Sequence, residues 1–170
     1  MEFLKRRWRE TVLWLVNTFL CGTRMFTLKR TLLNTCVNLR VGHGSRIVGP
    51  IKLGNCSCVT IGKDCWIGAG MTVYGDGSVT IGDNCDLAPD VAFITGSHEI
   101  GGPERRAGKG KLFSIEVGNG CWLGARCAIT NSVSVGNASI VAACALVNKP
   151  IPANSIAAGI PAKMIREMAE

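Results

Sequence analysis

His98 is one of only two histidines in the chain, and it lies in the stretch "FITGSHEIGGPERRAGKGKLFSIEVG" from Phe93 to Gly118. Histidine titrates near neutral pH, so it can take or give a proton without a special environment. In a polar, glycine-rich segment it reads either as a catalytic or ligand residue or as an ordinary exposed side chain. Arg105, Arg106, Lys109 and Lys111 follow on the same stretch, where they either bind an anionic group or face solvent. The other histidine, His43 in "RVGHGSR", reads as a surface turn residue. Cys56 and Cys58 have no second pair of cysteines or histidines spaced to complete a tetrahedral zinc site, so no metal is expected.

The segment around His98 interrupts a strict rhythm. Apolar residues recur every sixth position at Ile61, Ile67 and Val73, then after a two-residue insertion at Ile81, Leu87 and Phe93. Beyond the interruption they resume at Val117, Leu123, Ile129, Val135, Val141 and Val147, and Val41, Ile47, Leu53 and Val59 extend the phase backwards. A period of six fits neither a helix nor a plain strand, but it fits short strand, turn, short strand with one aliphatic side chain per unit pointing inward. Three units make a triangular coil, and stacked coils bury a continuous aliphatic column. The next residue is small at Gly42, Gly54, Gly62, Gly68, Gly82, Ala88, Gly118, Gly124, Gly136 and Ala142, which is expected to permit a positive-φ turn. Val59-Thr60 and Val79-Thr80 lengthen one side of their coils.

Composition agrees with a repeat domain. Of 170 residues, 47% are hydrophobic and 18% charged, with 21 glycines, which argues for a packed chain of tight turns and against disorder. Much of the net charge of +7 sits in the first forty residues, and no zinc-finger spacing, RNA-binding aromatic signature or long basic helix accompanies it, so no nucleic-acid partner is expected. Cys65, Cys85, Cys121 and Cys127, four of nine cysteines, share one position of the repeat, elsewhere held by Ser57, Ser97, Val133, Ser139 and Ala145. Cysteine there reads as a small buried residue, which points to reduced thiols and a reducing compartment.

The strings "IGKDCWIGAG", "IGDNCDLAP", "VGNGCWLGA" and "NSIAAGIPAKMIRE" resemble the hexapeptide-repeat acyltransferases, in particular the sugar and polysaccharide O-acetyltransferases of the galactoside and maltose type. The likeness runs from about Val41 to Arg166 and implies a mainly β protein, a left-handed parallel β-helix with an excursion loop at about 95–114, working as a homotrimer. Acetyl transfer from a thioester needs a base for the attacking hydroxyl, a donor for the developing oxyanion and a way to hold both substrates. By resemblance, "TGSH" supplies His98 as the base, with Glu99 or a backbone carbonyl orienting it, and the backbone N–H of Ala125 meets the oxyanion. The likeness further implies that acetyl-CoA is held by Trp122, Ala125, Ala143, Lys149, Ala158, Gly159, Lys163 and Arg166. Asp76 in "YGDGS", with Arg105 and Arg106, is then placed toward a sugar or glycan acceptor, and Gly70 replaces the family's acceptor-binding asparagine. Trp122 has a packing alternative, since Trp66 occupies the equivalent place earlier in the repeat. Carbonic anhydrases of the same fold need three histidines for their metal, which this chain lacks. Two other readings stand beside this one: a xenobiotic O-acetyltransferase of the same fold, and a scaffold without catalysis.

The expected organisation is an N-terminal helical segment over 1–38, the β-helix domain over 39–166 and a tail over 167–170. In "KRRWRETVLWLVNTFLCG" the uncharged run is about a dozen residues, well short of the ~20 that a membrane span needs. A short amphipathic helix is expected there, lying on an anionic membrane surface or against a neighbouring subunit. The expected place of the protein is the cytoplasm, with peripheral contact to the inner face of the plasma membrane.

Overall fold

The computed structural model describes residues 1–169; Glu170, the last residue of the expected tail, lies outside them. From Leu39 to Gly159 the chain winds into a parallel β-helix of about six coils. The strands stack into three faces. Face I holds Leu39–Val41, Cys58–Ile61, Ser78–Ile81, Ser114–Val117 and Ser134–Val135. Face II begins with Arg46–Ile47, Trp66–Ile67, Asp86–Leu87, Trp122–Leu123 and Ile140–Val141. Face III holds Lys52–Leu53, Thr72–Tyr74, Ala92–Ile94, Ala128–Thr130 and Leu146–Val147.

All twelve hexad positions from Ile61 to Val147 are buried, none more than 3% exposed. Their register is direct: Ile47 pairs with Ile67, Ile67 with Leu87, Leu87 with Leu123 and Leu123 with Val141. Val59 is also buried but belongs to a different column, because it pairs with Leu39 and Val79 while Val41 pairs with Ile61. The two-residue lengthening of face I therefore occurs before Ile61 as well as before Ile81.

The small residues after the hexad positions serve close packing between coils. A Cβ on Gly62 would collide with the Gly82 carbonyl, and one on Gly124 with the Ala143 backbone nitrogen. Their φ is not positive; the left-handed turn residues are instead Asp64, Asn84, Asp90, Arg126, Ala138 and Cys144, together with Gly44, Gly70 and Gly120. Asparagine, aspartate and glycine bear that conformation most easily.

The thiols form a ladder inside one corner. Cys65 Sγ lies 3.1 Å from the Gly82 oxygen, Cys85 Sγ 3.0 Å from that of Gly118 and Cys121 Sγ 3.1 Å from that of Gly136. Ser45 and Ser139 make the same contact through oxygen, each at 2.7 Å. All nine cysteines are free. Ser97 departs from this group: it is exposed on the excursion.

Two helices precede the coils, where one was expected: α1 (Glu2–Phe19) and α2 (Phe26–Leu33). They close the first coil, whose strand edges would otherwise carry unpaired backbone groups. Asn34 bonds the Val41 N–H and carbonyl at 2.8 and 2.9 Å, Lys29 donates to the Ile47 carbonyl at 2.7 Å, and Asn17 brackets Ile51 at 2.7 and 2.9 Å. Each face thus receives a polar cap from the helices. Arg9 and Lys29, at 2% and 0% exposure, are spent inside this junction, and desolvation lowers the pKa of both. At the far end, Ala162–Glu167 folds back antiparallel on Ser155–Gly159 and covers the last strand of face II. Among the described residues no helix is long and apolar enough to cross a membrane.

Candidate active site

The excursion at the corner between faces III and I is an antiparallel hairpin, Gly96–Ile100 against Ala107–Leu112. Its root is bolted to the coil below. Thr95, fully buried, donates its N–H and hydroxyl to the Tyr74 carbonyl at 2.7 and 3.0 Å and accepts the Gly77 N–H at 3.1 Å. The Phe113 N–H closes the root on the Thr95 carbonyl at 2.8 Å. In the sequence Thr95 stands only as part of "TGSH"; its place two residues after Phe93, where the hexad rhythm breaks, is the one mark of this second role.

His98 pairs with Gly110 across the hairpin, and a bulge falls between His98 and Ile100. Bulges commonly re-aim a side chain beside an active site. The imidazole is exposed, and among the described residues neither Glu99 nor any other side chain hydrogen-bonds it. Arg105, Arg106, Lys109 and Lys111 are exposed on the same hairpin, as are Ile100 at 91% and Leu112 at 66%. These two large apolar side chains stand at opposite ends of the hairpin, Leu112 across from Gly96 and Ile100 across from Ala107.

Asp76 lies in the same corner one coil below, and its Oδ1 accepts the Cys56 N–H at 2.9 Å. The opposite corner uses the same device with Asp83, Asn119 and Asn137, so a neutral amide does that structural work equally well. The second carboxylate oxygen of Asp76 has no protein partner among the described residues. Lys149, exposed, shares this corner three strands further on. His43 is exposed in the corner between faces I and II, away from the hairpin.

The remaining predicted residues occupy a different edge. Because Leu123 pairs with Val141 and Val141 with Ala157, Ala125, Ala143 and Gly159 stack along the corner between faces II and III. The Ala125 carbonyl accepts the Cys144 N–H at 2.9 Å, whereas its own N–H has no backbone partner among the described residues. Small side chains on this edge leave the backbone open to a ligand. Trp122 stands beside it on the outer side of face II, 56% exposed, in the column that continues through Ile140 and Ile156 to Arg166. Trp66 occupies the same column two strands earlier, but there Phe26 covers it edge-on at 5.8 Å. Trp122 has no such cover and is not a packing residue of this chain. Lys163, opposite Ala158, and Arg166, opposite Ile156, add cations at the end of the edge, both exposed.

The predicted residues therefore divide between two edges of the prism. His98, Asp76 and the hairpin cations lie on one; Ala125, Trp122 and the C-terminal cations lie along the next. Among the described residues no group of three or more histidine, cysteine or acidic side chains is arranged to hold a metal.

Comparison with known proteins gives the arrangement its context. The family described as "Hexapeptide repeat of succinyl-transferase" matches residues 58–88 and 114–149. Galactoside O-acetyltransferase of Escherichia coli (strain K12) is 34% identical over 128 residues, 75% of this chain, and the chain spans 63% of that relative's length. The Saccharomyces cerevisiae protein YJL218W is 30% identical over 141 residues, 83% of this chain and 69% of its own. Among solved structures, galactoside acetyltransferase in complex with coenzyme A superposes with a TM-score of 0.84 at 28% identity, over 97% of this chain and 81% of that one. With its hexad column, its coil-by-coil register and its interrupting hairpin, the chain belongs to the hexapeptide-repeat acetyltransferases.

Proposed function

We propose that the protein is an acetyl-CoA-dependent O-acetyltransferase that acts as a homotrimer on a sugar hydroxyl of a glycan or surface-polysaccharide precursor. The observation that carries this reading is the division of the predicted site between two edges of one prism. Three copies around an axis parallel to that of the β-helix bring the His98 edge of each to the Ala125 edge of its neighbour, and the exposed Ile100 and Leu112 of the hairpin give the neighbour something to bury.

The Ala125 edge suits a thioester carried on coenzyme A. Alanine and glycine leave room for the pantetheine arm along the backbone, Trp122 offers a flat apolar wall, and Lys163, Arg166 and, from the neighbouring edge, Lys149 answer the phosphates. The acceptor hydroxyl lies between Asp76 and His98, with Arg105 and Arg106 toward any anionic group it bears. The His98 imidazole takes the hydroxyl proton as the oxygen attacks the acetyl carbonyl, and the Ala125 N–H stabilises the charge on the carbonyl oxygen. When the C–S bond breaks, the thiolate of coenzyme A leaves and receives the proton from the imidazolium. Acyl, proton and charge balance with no metal.

The test is His98→Ala in the full chain. Turnover should fall ~10²–10⁴-fold, the usual share of a positioned base, with acetyl-CoA affinity and melting temperature nearly unchanged. Retention of more than about a tenth of kcat lies outside that range and would overturn the assignment.

A further inference from the structure

We propose that the outer side of α1 is a docking surface for an anionic lipid bilayer. The helix is fixed to its own β-helix by one stripe only: Arg9, Val12 and Val16 are buried, and Arg9 donates to the carbonyl and hydroxyl of Ser57 at 2.7 and 2.9 Å. The other sides carry Phe3, Leu4, Trp14 and Phe19 at 72, 70, 58 and 66% exposure, with Trp8 at 47%. At about 100° per residue these side chains form two neighbouring stripes, Phe3 with Trp14 and Leu4 with Trp8 and Phe19, that together cover the sides of the helix turned away from the coils with apolar surface that water does not favour.

Charge selects the occupant. Lys5, Arg6 and Arg7 follow one another at the start of α1, against only Glu2 and Glu10, and Glu10 is engaged by Arg7 at 3.3 Å. Between the start of α1 and Asn34–Arg40 opens a cavity of about 480 Å³ whose lining combines Leu4 and Trp8 with Lys5 and Arg40. An apolar wall with two cations at its rim fits a phosphate headgroup with the first methylenes of its chains. A second copy docking face to face through the same surface would set cation against cation, and a neighbour meeting it with a different surface in a ring is separated by the mass measurement below. Because its inner stripe is held by the coils, the helix lies along the membrane and cannot insert upright. Its tryptophans then sit at headgroup depth, and the Lys and Arg side chains reach the anionic surface.

The experiment is cosedimentation of the full-length protein with vesicles of phosphatidylcholine, with and without phosphatidylglycerol, alongside light scattering. The proposal expects binding to the anionic vesicles, little to the neutral ones, and loss near 1 M salt, where screening reaches ~3 Å. Changing Lys5, Arg6 and Arg7 to Gln should weaken binding roughly fivefold per cation, on the order of a hundredfold together. Trp14→Glu, an exposed position, should abolish it with melting temperature and oligomeric mass unchanged. Equal binding to neutral vesicles, indifference to these substitutions, or a Trp14→Glu protein of smaller mass would each overturn the proposal, the last by assigning the face to contact between copies. None of these readouts depends on catalysis, so they stand apart from the acetyltransferase reading.

Discussion

The buried hydroxyl of Thr95 accepts the Gly77 N–H at 3.1 Å, tying the root of the hairpin that bears His98 to the turn that bears Asp76. The same hydroxyl donates to the Tyr74 carbonyl at 3.0 Å, so both of its hydrogen-bonding roles are used. The positions of His98 and Asp76 are therefore referenced to each other through one side chain.

Thr95→Val keeps the shape and removes the hydroxyl. It leaves a buried N–H unpaired, for a loss of about 1–3 kcal/mol in stability. In the proposed enzyme kcat should fall while acetyl-CoA affinity holds, and Thr95→Ser should restore most of both stability and turnover. Urea denaturation with steady-state kinetics checks it; a Val variant that is destabilised but fully active would limit Thr95 to a structural role.

Asp76 permits a cleaner separation. Asp76→Asn preserves an oxygen acceptor for the Cys56 N–H, as Asn119 and Asn137 do in the opposite corner, but removes the charge. Stability should be nearly unchanged and KM for the acceptor should rise. Asp76→Ala should add a stability loss of about 0.5–1.5 kcal/mol for the missing hydrogen bond. An Asn variant with wild-type acceptor kinetics would confine Asp76 to the corner ladder.

The inner column was legible because a hexad that points inward must be apolar whatever else the chain does; Ile61 through Val147 needed only counting. The resemblance gathered His98 and Ala125 into one site; their separation on one chain follows from hexads cycling through three faces, with Phe93 and Leu123 on different ones. Other features were hidden. Glycine at positions 62 and 124 looks like a demand for positive φ, yet it answers a neighbouring coil 20 or 18 residues away that a local reading cannot see. Arg9 and Lys29 look like solvated flanks of an apolar run, and only the open edge of the first coil, with its unpaired carbonyls, explains why cations are buried there.

Stability should decline in alkali through buried thiols. Burial pushes the Cys127 thiol up from its ordinary 9.0 to about 12. Its folded-state pKa is raised, so its contribution is fully present below pH 9 and is lost as pH rises through about 12, because the unfolded chain ionises first. Near pH 10.5 the loss amounts to about 2 kcal/mol, at 1.36 kcal/mol per pKa unit. Cys127→Ala, the residue that Ala145 supplies in the next coil, should flatten this decline when urea midpoints are compared at pH 7 and 10.5. An unchanged slope would show that other groups govern it.

The central claim, that the site is completed between copies by the His98 edge of one and the Ala125 edge of another, is tested most directly by mixing two inactive variants. His98→Ala removes the base; Ala143→Trp, at an exposed position, fills the other edge. Each alone should be at least ~10²-fold down in turnover. Co-refolded in equal amounts, random trimers should place an intact hairpin against an intact edge at about one interface in four, so activity should return to roughly a quarter of wild type. Recovery to no more than the sum of the two inactive variants, in trimers shown by mass to be mixed, would mean that each chain builds its site alone and would contradict the account.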